Sequence, residues 1–285
     1  MTKRILISAF ISLACLPLFS QGKVSTRKYI LSDFPDKITQ VVLTENEVLN
    51  SALQQEIPIL WSASAYEFCS PETFEQLKTR DQYYFLLPAQ SRFKNEETPG
   101  ILFLTLVKGC PEAAEGGIAA MTEVISLPLA AAMGGSGREL IYLGALIQAV
   151  QEFTLAAMES EKVAYGMDAW FNANFSKYGK MKHIYLSQDD LAPACTEKAI
   201  GRYRDSDMHI VTEAEADQVY LSGTYNALVS YTVSPVIPEL DASYSYQLLF
   251  EAQTHTLYYI QKHLISGKAG AGFLPEDFKR MAKKR

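Results

Sequence analysis

The sequence predicts a mixed α/β (α+β) fold with two similar segments, each running strand–helix–strand–helix–strand–strand in a mixed sheet and joined by a helical middle region. Three observations lead to this prediction. The 285 residues are 48% apolar and 20% charged, the composition of a globular protein long enough to bury a large core. Short apolar runs bounded by turn residues alternate with runs of helical periodicity. The two halves of the chain also share one element order.

Residues 1–22 have the layout of a cleaved secretory signal peptide. A positive pair, Lys3 and Arg4, precedes an almost continuous apolar run over residues 5–19, and small and polar residues follow it. The apolar run is shorter than the roughly 20 residues that a transmembrane helix needs. The sequence therefore predicts an exported protein, periplasmic or associated with the outer membrane. Cys15 leaves a lipid anchor as the alternative.

A first α/β segment is predicted over residues 23–111. Apolar side chains follow helical spacing over 45–57, and Ser70 followed by Pro71 and an acid is typical of a helix start. Three apolar runs predict buried strands, at 29–31, 83–88 and 101–107.

A second α/β segment is predicted over residues 181–270 with the same alternation of strands and helices. Helices are expected over 191–203 and after the N-cap residue Thr212. Strands are expected at 184–186, 208–211 and 225–231, followed by a hairpin of 244–251 and 257–265.

An internal duplication is suggested by residues 66–87, which align without a gap against 208–229. The alignment matches the two helix caps, Ser70 and Thr212. Parallel strands joined by helices and ending in a hairpin give each segment a mixed sheet. This element order resembles that of small α/β domains in envelope-assembly proteins, such as the N-terminal domain of the Tol translocation protein and the curli-secretion lipoproteins. The resemblance concerns element order, and no residue role is taken from it.

The middle of the chain, residues 112–180, is predicted to be a helical connector. It is rich in Ala and Gly, and 138–162 has the spacing of a long core helix. For 118–133 the alternative is a mobile or membrane-touching segment. The last residues, 271–285, form a basic C-terminal tail, either a solvated helix end or an anchor for acidic lipid headgroups or an acidic partner.

The sequence motifs supply no coherent catalytic, cofactor-binding or metal-binding set, so none of these sites is predicted. The glycine-rich turn 134–137 lacks the lysine of a phosphate-binding loop, and Asp189–Asp190 is interpreted as a helix cap. Cys195, near a predicted helix start, is the alternative nucleophile. If a disulfide forms, Cys69 and Cys110 are the favoured pair.

An aromatic cluster within residues 165–178 is the candidate binding surface. Aromatic side chains bind sugar rings and protein partners, and a packed junction between the segments is the alternative explanation. Its members are Tyr165, Trp170, Phe171, Phe175 and Tyr178.

The signal, the repeated element order and the lack of a catalytic set favour an exported cell-envelope protein that serves as a non-catalytic binding or assembly (scaffold) module. Its expected partner is another envelope protein or, alternatively, a glycan. The alternative functions are a secreted hydrolase, or a glycan or small-molecule binder that uses the cleft between the two segments. The net charge of −6 argues against a nucleic-acid partner. No second stretch is apolar enough to span a membrane after signal removal.

Overall fold

The computed structural model describes the backbone of Leu18–Phe19 and residues 31–284. Leu18–Phe19 is a short strand, β1. Most of the predicted signal peptide, including Cys15, lies outside the described residues, as do Tyr29 and Ile30 of the first predicted strand. Export and lipidation therefore stay predictions.

The first segment forms one mixed sheet. Its elements in chain order are β2 (Ile38–Val42), α1 (Glu47–Leu60), β3 (Ala65–Cys69), α2 (Pro71–Leu77), β4 (Tyr83–Arg92), β5 (Ile101–Lys108), α3 (Ala113–Gly116) and β6 (Thr122–Ala131). The strand order is β3-β2-β4-β5-β6, and β1 pairs with the end of β4. β2 is parallel to β3 and β4, whereas β4, β5 and β6 form an antiparallel meander.

Three helices lead to a second mixed sheet. The helices are α4 (Arg138–Glu159), α5 (Glu161–Ala164) and α6 (Met167–Tyr178). The elements that follow are β7 (His183–Ser187), α7 (Glu197–Ile200), β8 (Met208–Val211), α8 (Glu213–Leu221), β9 (Ala227–Val233), β10 (Tyr244–Glu251), β11 (Leu257–Leu264) and α9 (Pro275–Lys284). The strand order is β8-β7-β9-β10-β11, with β7 parallel to β8 and β9 and an antiparallel meander at the other side.

The two sheets therefore have the same order and the same strand directions, and the predicted mixed α/β class with two segments is confirmed. The predicted series of strand–helix–strand–helix–strand–strand is one strand short of each sheet, because the antiparallel part has three strands. The five strands expected individually in the second segment are all present. The two predicted helix caps are both present: the Ser70 side chain accepts from the Thr73 backbone, and the Thr212 side chain accepts from the Glu215 backbone.

The gapless alignment of the two segments is correct up to these caps and displaced after them. Thr39 of β2 lies opposite Tyr66 and Tyr84, whereas Ile184 of β7 lies opposite Met208 and Leu228. The alignment pairs Leu228 instead with residue 86, two positions beyond Tyr84. The cause is the helix between the strands, which has seven residues in α2 and nine in α8.

Residues 112–180, the predicted helical connector, are not helical throughout, because the strand β6 (Thr122–Ala131) separates α3 from the three later helices. The segment 118–133 thus belongs mainly to the first sheet. Pro128 is compatible with that position, since β6 is the last strand of the sheet and its register with β5 shifts beside Phe103, the partner of Pro128.

The chain ends require two further corrections. Leu31 does not lie in a strand, and the first strand of the segment is Ile38–Val42. The predicted basic tail, residues 271–285, contains α9, whose Phe278 and Met281 are fully buried against the second sheet. The basic residues Lys279, Arg280, Lys283 and Lys284 therefore lie on a helix that packs against the second sheet.

Helix α4 lies at the centre of the molecule, where it packs on α1 and β6 of the first segment and on β11 of the second. Leu143, Leu146 and Val150 are buried in one core with Leu106 of β5 and Leu248 of β10. Among the described helices, α4 is the one long and apolar enough to cross a membrane, and 56% of that apolar stretch is buried inside the protein. Such burial is typical of a core helix.

Candidate functional site

The carboxyl ends of β7 and β9 form the candidate site. In the strand order β8-β7-β9, the chain passes from β7 to its neighbour β8 and then crosses to β9, the neighbour on the other side of β7. Ligands of open α/β sheets bind outside the carboxyl ends of the strands at such a reversal. Asp189 and Asp190 follow β7 at this edge, and Thr232 and Val233 end β9 there.

A buried arginine connects this edge to α4. Arg138, the first residue of α4, is 6% exposed. Its guanidinium donates to Asp217 of α8 from Nε at 3.1 Å and from Nη2 at 2.9 Å. It donates to Asp190 from Nη1 at 3.0 Å. The start of α4 is thereby held against two elements of the second segment.

Neutral donors complete the network around the two carboxylates. Asp190 accepts from Ser230 Oγ at 2.6 Å and from Thr232 Oγ1 at 2.5 Å. Asp217 accepts from the Tyr142 hydroxyl at 3.0 Å. Burial acts to lower the pKa of Arg138, but the charges of Asp190 and Asp217 outweigh it and raise the pKa above its ordinary value. The arginine is therefore charged, with its donors directed at protein acceptors.

A third carboxylate lies at the edge of this network. Glu213 Oε2 is 3.5 Å from Arg138 Nη1, and its side chain is partly exposed. Burial raises the pKa of Glu213, and repulsion from Asp217 and Asp190 adds to the increase although Arg138 opposes it. One guanidinium is thus surrounded by an excess of negative charge.

A cavity of about 240 Å³ opens beside the network, at the junction of the two segments. Its walls come from the end of β6, the turn before α4, the loops after β7 and before α9, and the end of β9. The lining includes Ala131, Ser136, Asp189, Thr232, Ser234 and Gly272. Gly272 has φ +100°, and a Cβ there would lie 2.4 Å from the Asp190 carbonyl oxygen, so this wall requires glycine.

Carboxylates and hydroxyls supply the polar side chains of the cavity wall. Glu139 folds back so that its Oε2 accepts from the Gly137 backbone at 2.9 Å. Of the described residues that line the cavity, none is a lysine, arginine or histidine. In the glycine-rich turn, Gly137 has φ +88°, and the Arg138 backbone donates to Ser136 Oγ at 3.3 Å.

The five predicted aromatic residues do not form one exposed platform. Phe171 and Phe175 are fully buried, because they lie on the face of α6 that packs into the core. Trp170 packs edge-on against Phe153 at 5.8 Å. Tyr165 and Tyr178 are exposed at the two ends of this stretch. An open groove beside α6 is lined instead by small and polar residues such as Ala169, Asn172 and Ser176.

Cys195 does not have the environment of a nucleophile. Burial, followed by the charges of Asp277 and Glu276, raises the pKa of Cys195 to about 12. Its Sγ donates to the Phe273 carbonyl oxygen at 3.0 Å. The thiol is therefore protonated near neutral pH and serves packing.

Cys69 and Cys110 are free thiols. Cys69 ends β3, whereas Cys110 follows the end of β5, which runs in the opposite direction. The two lie at opposite edges of the sheet, about 16 Å apart along the strands, because a five-residue strand has that length. A disulfide needs Cα atoms within about 7 Å, so the favoured pairing is wrong.

Asp190 is not the predicted helix cap. The Asp189–Asp190 pair ends a single turn, and the Asp190 carboxylate enters the buried network with Arg138. No sequence motif marks Arg138, Tyr142 or Asp217 as a functional residue. Arg138 did carry a local signal, since an arginine in the first turn of a helix is unfavourable for the helix dipole and needs a compensating partner.

The cavity wall offers carboxylate and hydroxyl groups that can hydrogen-bond a ligand. In the cavity wall, Ser136 Oγ accepts from the Arg138 backbone and Ser234 Oγ donates to Ser245 Oγ, so neither of these described serines is paired with a base. Within residues 31–284, no group of three or more His, Cys, Asp or Glu side chains is arranged to hold a metal ion. Comparisons of this chain with models of protein families, with curated proteins and with solved structures gave no match.

Proposed function

We propose that this protein is a non-catalytic binding module, exported to the cell envelope, that binds a small polar ligand in the cavity at the junction of its two segments. The observation that carries the proposal is the position of this cavity, outside the carboxyl ends of β7 and β9 and closed by β6 of the other segment. Its volume of about 240 Å³ is below that of sites for drug-sized ligands and suits a compact molecule of monosaccharide size.

The rigidity of the junction supports this function. The Tyr231 hydroxyl of β9 donates to the Leu129 carbonyl of β6, next to the cavity. On the other side, Glu239 accepts from the backbone N–H groups of Glu97 at 2.8 Å and Thr98 at 3.2 Å. A preformed site loses little conformational entropy when a ligand binds.

Ala131→Phe, which fills the cavity, should strongly reduce the affinity for the ligand. We expect one or more of D-glucose, D-glucosamine and D-glucuronate to raise the melting temperature of the native protein. The affinity of that sugar should fall roughly tenfold or more in the variant, because the ring of Phe occupies the ligand volume. Thermal shift and isothermal titration calorimetry measure both effects.

Ala114→Phe is the matched control, since Ala114 is exposed on α3, far from the cavity. Its affinities should equal those of the native protein. Equal binding by Ala131→Phe, or no binding of any of the three sugars by the native protein, would contradict the proposed function.

An assembly module is the second candidate function, favoured by one surface. The loop after β9 exposes three aliphatic side chains, those of Val236, Ile237 and Leu240, and Ile237 is 82% exposed. Because Glu239 fixes this loop to the first segment, these side chains are presented on a rigid support. Clustered exposed apolar side chains are typical of protein interfaces.

Ile237→Asp tests this second function. If another envelope protein binds the loop, cross-linking of the native envelope gives a stoichiometric adduct with the tagged full-length protein, and Ile237→Asp loses it. Tyr225→Asp, equally exposed but before β9, should keep it. Retention of the adduct by Ile237→Asp would rule out this surface.

A further inference from the structure

The charge around the junction cavity is strongly unbalanced. Arg138 is the one cation in the buried network described above. The surrounding carboxylates are Glu139 and Asp189 in the cavity wall, Asp190 and Asp217 in the network, and Glu213 at its edge. Burial and then the charge of Glu139 raise the pKa of Tyr231, which also lines the cavity. The cavity therefore has a negative potential.

Among the described residues around the cavity, an anionic ligand would find no free cation. The Arg138 Nε, Nη1 and Nη2 groups all donate to Asp190 or Asp217. Both carboxylates are deeply buried, and withdrawing the guanidinium from either of them would leave a buried negative charge without a partner. The network thus excludes anions from the cavity instead of attracting them.

An unpaired acceptor lies directly beneath the cavity wall. Gln247 of β10 is 0% exposed and lies opposite Thr232, so the two side chains share one face of the sheet. Its Nε2 donates to Ser245 Oγ at 2.8 Å, and Ser245 Oγ also accepts from the Gly272 backbone at 2.9 Å. Among the described residues, the Gln247 Oε1 atom has no hydrogen-bond partner.

A buried amide oxygen without a donor is destabilising and rare in folded proteins. Ser234 and Gly272, which line the cavity, both contact Ser245, so Gln247 lies one layer below the lining. The Gln247 amide therefore connects to the cavity only through the Ser245 hydroxyl. The polar side chains that a ligand meets directly include the carboxylates of Asp189 and Glu139 and the hydroxyls of Thr232 and Ser234.

We infer, building on the proposed function, that the ligand is a small organic cation that also carries hydroxyl groups, of the amino-sugar or amino-alcohol class. Its ammonium group is recognised by the carboxylates of Asp189 and Glu139, and its hydroxyls hydrogen-bond to the hydroxyls of Thr232 and Ser234 in the cavity wall. A bare metal ion fits less well, because the described part of the chain holds no set of three metal-ligating acidic, histidine or cysteine side chains.

Calorimetric titration with D-glucosamine, D-glucose and D-glucuronate, at a pH at which the amine is protonated, tests the inference. The three sugars share one ring and differ in charge. We expect glucosamine to bind roughly tenfold or more tightly than glucose and glucuronate not to bind measurably. The affinity of glucosamine should fall with added salt, whereas that of glucose should not.

Asp189→Asn should reduce the preference for glucosamine over glucose, since it removes one wall charge from an exposed position that the fold does not depend on. Asp81→Asn, with the same charge change on an exposed turn of the first segment, should leave the preference intact. Glucose binding as tightly as glucosamine, with both lost in Ala131→Phe, would overturn the inferred ligand class and leave the proposed function standing. No binding of any of the three sugars would overturn both.

Discussion

Replacing Arg138 with methionine should lower the free energy of unfolding by about 3–5 kcal/mol, because it leaves two buried carboxylates without their cation. Asp190 is 1% exposed and Asp217 is only slightly more accessible. Methionine keeps most of the side-chain volume, so the loss measures the charge interaction rather than a cavity. Equilibrium unfolding in urea, followed by far-UV circular dichroism, gives the difference.

The expected loss of stability in Arg138→Met follows from the ion pairs that Arg138 makes. It makes ion pairs with Asp217 at 2.9 Å and Asp190 at 3.0 Å, where water cannot screen them. The hydroxyls of Ser230 and Thr232 stabilise the Asp190 carboxylate but do not compensate its charge. Removing one partner of such a buried set costs far more than removing an exposed charge.

Arg80→Met is the matched control, since Arg80 is exposed on the loop between α2 and β4 and its replacement should change stability by less than about 0.5 kcal/mol. A double-mutant cycle with Asp217→Asn separates the pair from its surroundings, and we expect a coupling energy above about 1 kcal/mol. If Arg138→Met costs no more than Arg80→Met, the network does not stabilise the junction.

Elements with strong local signals could be predicted from the sequence. The strand Met208–Val211 and the cap at Thr212 lie where they were expected, because a short apolar run, a capping threonine and an acid three positions later act within one stretch of chain. The hairpin of β10 and β11 has the same local basis. Repetition of these signals was enough to predict two mixed sheets.

Strands with polar or atypical residues could not be predicted. In β2, Thr39 and Gln40 are buried, and their side chains bond to Ser64 at 2.7 Å and Glu67 at 2.7 Å. Such residues hide the apolar pattern of a central strand, since their partners lie in or just before the neighbouring strand β3. In β6, Pro128, Ala130 and Ala131 weaken the strand signal because these residue types are uncommon in strands.

The candidate site depends on contacts between distant parts of the chain. Arg138 is separated from Asp190 by 52 residues and from Asp217 by 79. Sequence spacing gives no information on such contacts, which arise only when α4 packs on the second sheet. The aromatic cluster illustrates the opposite error: neighbours in sequence, Trp170 and Phe171, differ in exposure because they lie on different faces of one helix.

Leu146→Ala should lower the free energy of unfolding by about 2–5 kcal/mol and should do so in one cooperative transition. Leu146 is fully buried on α4, in the core that includes both Leu106 of the first sheet and Leu248 of the second. Because the two sheets share this core, loss of packing in α4 destabilises both segments together. Tryptophan fluorescence and far-UV circular dichroism in urea should report coincident midpoints for the native protein and for the variant.

Leu155→Ala is the control on the same helix, since Leu155 is 40% exposed and its truncation should change stability far less than that of Leu146. Two separate transitions, with only one of them shifted by Leu146→Ala, would mean that the segments unfold independently and that α4 belongs to one of them.

A shared unfolding transition also determines how the junction cavity responds to the loss of packing. The junction cavity has walls from both segments, so its shape persists only while they remain packed on α4, and Leu146→Ala should weaken ligand binding only in the urea range where the whole protein unfolds.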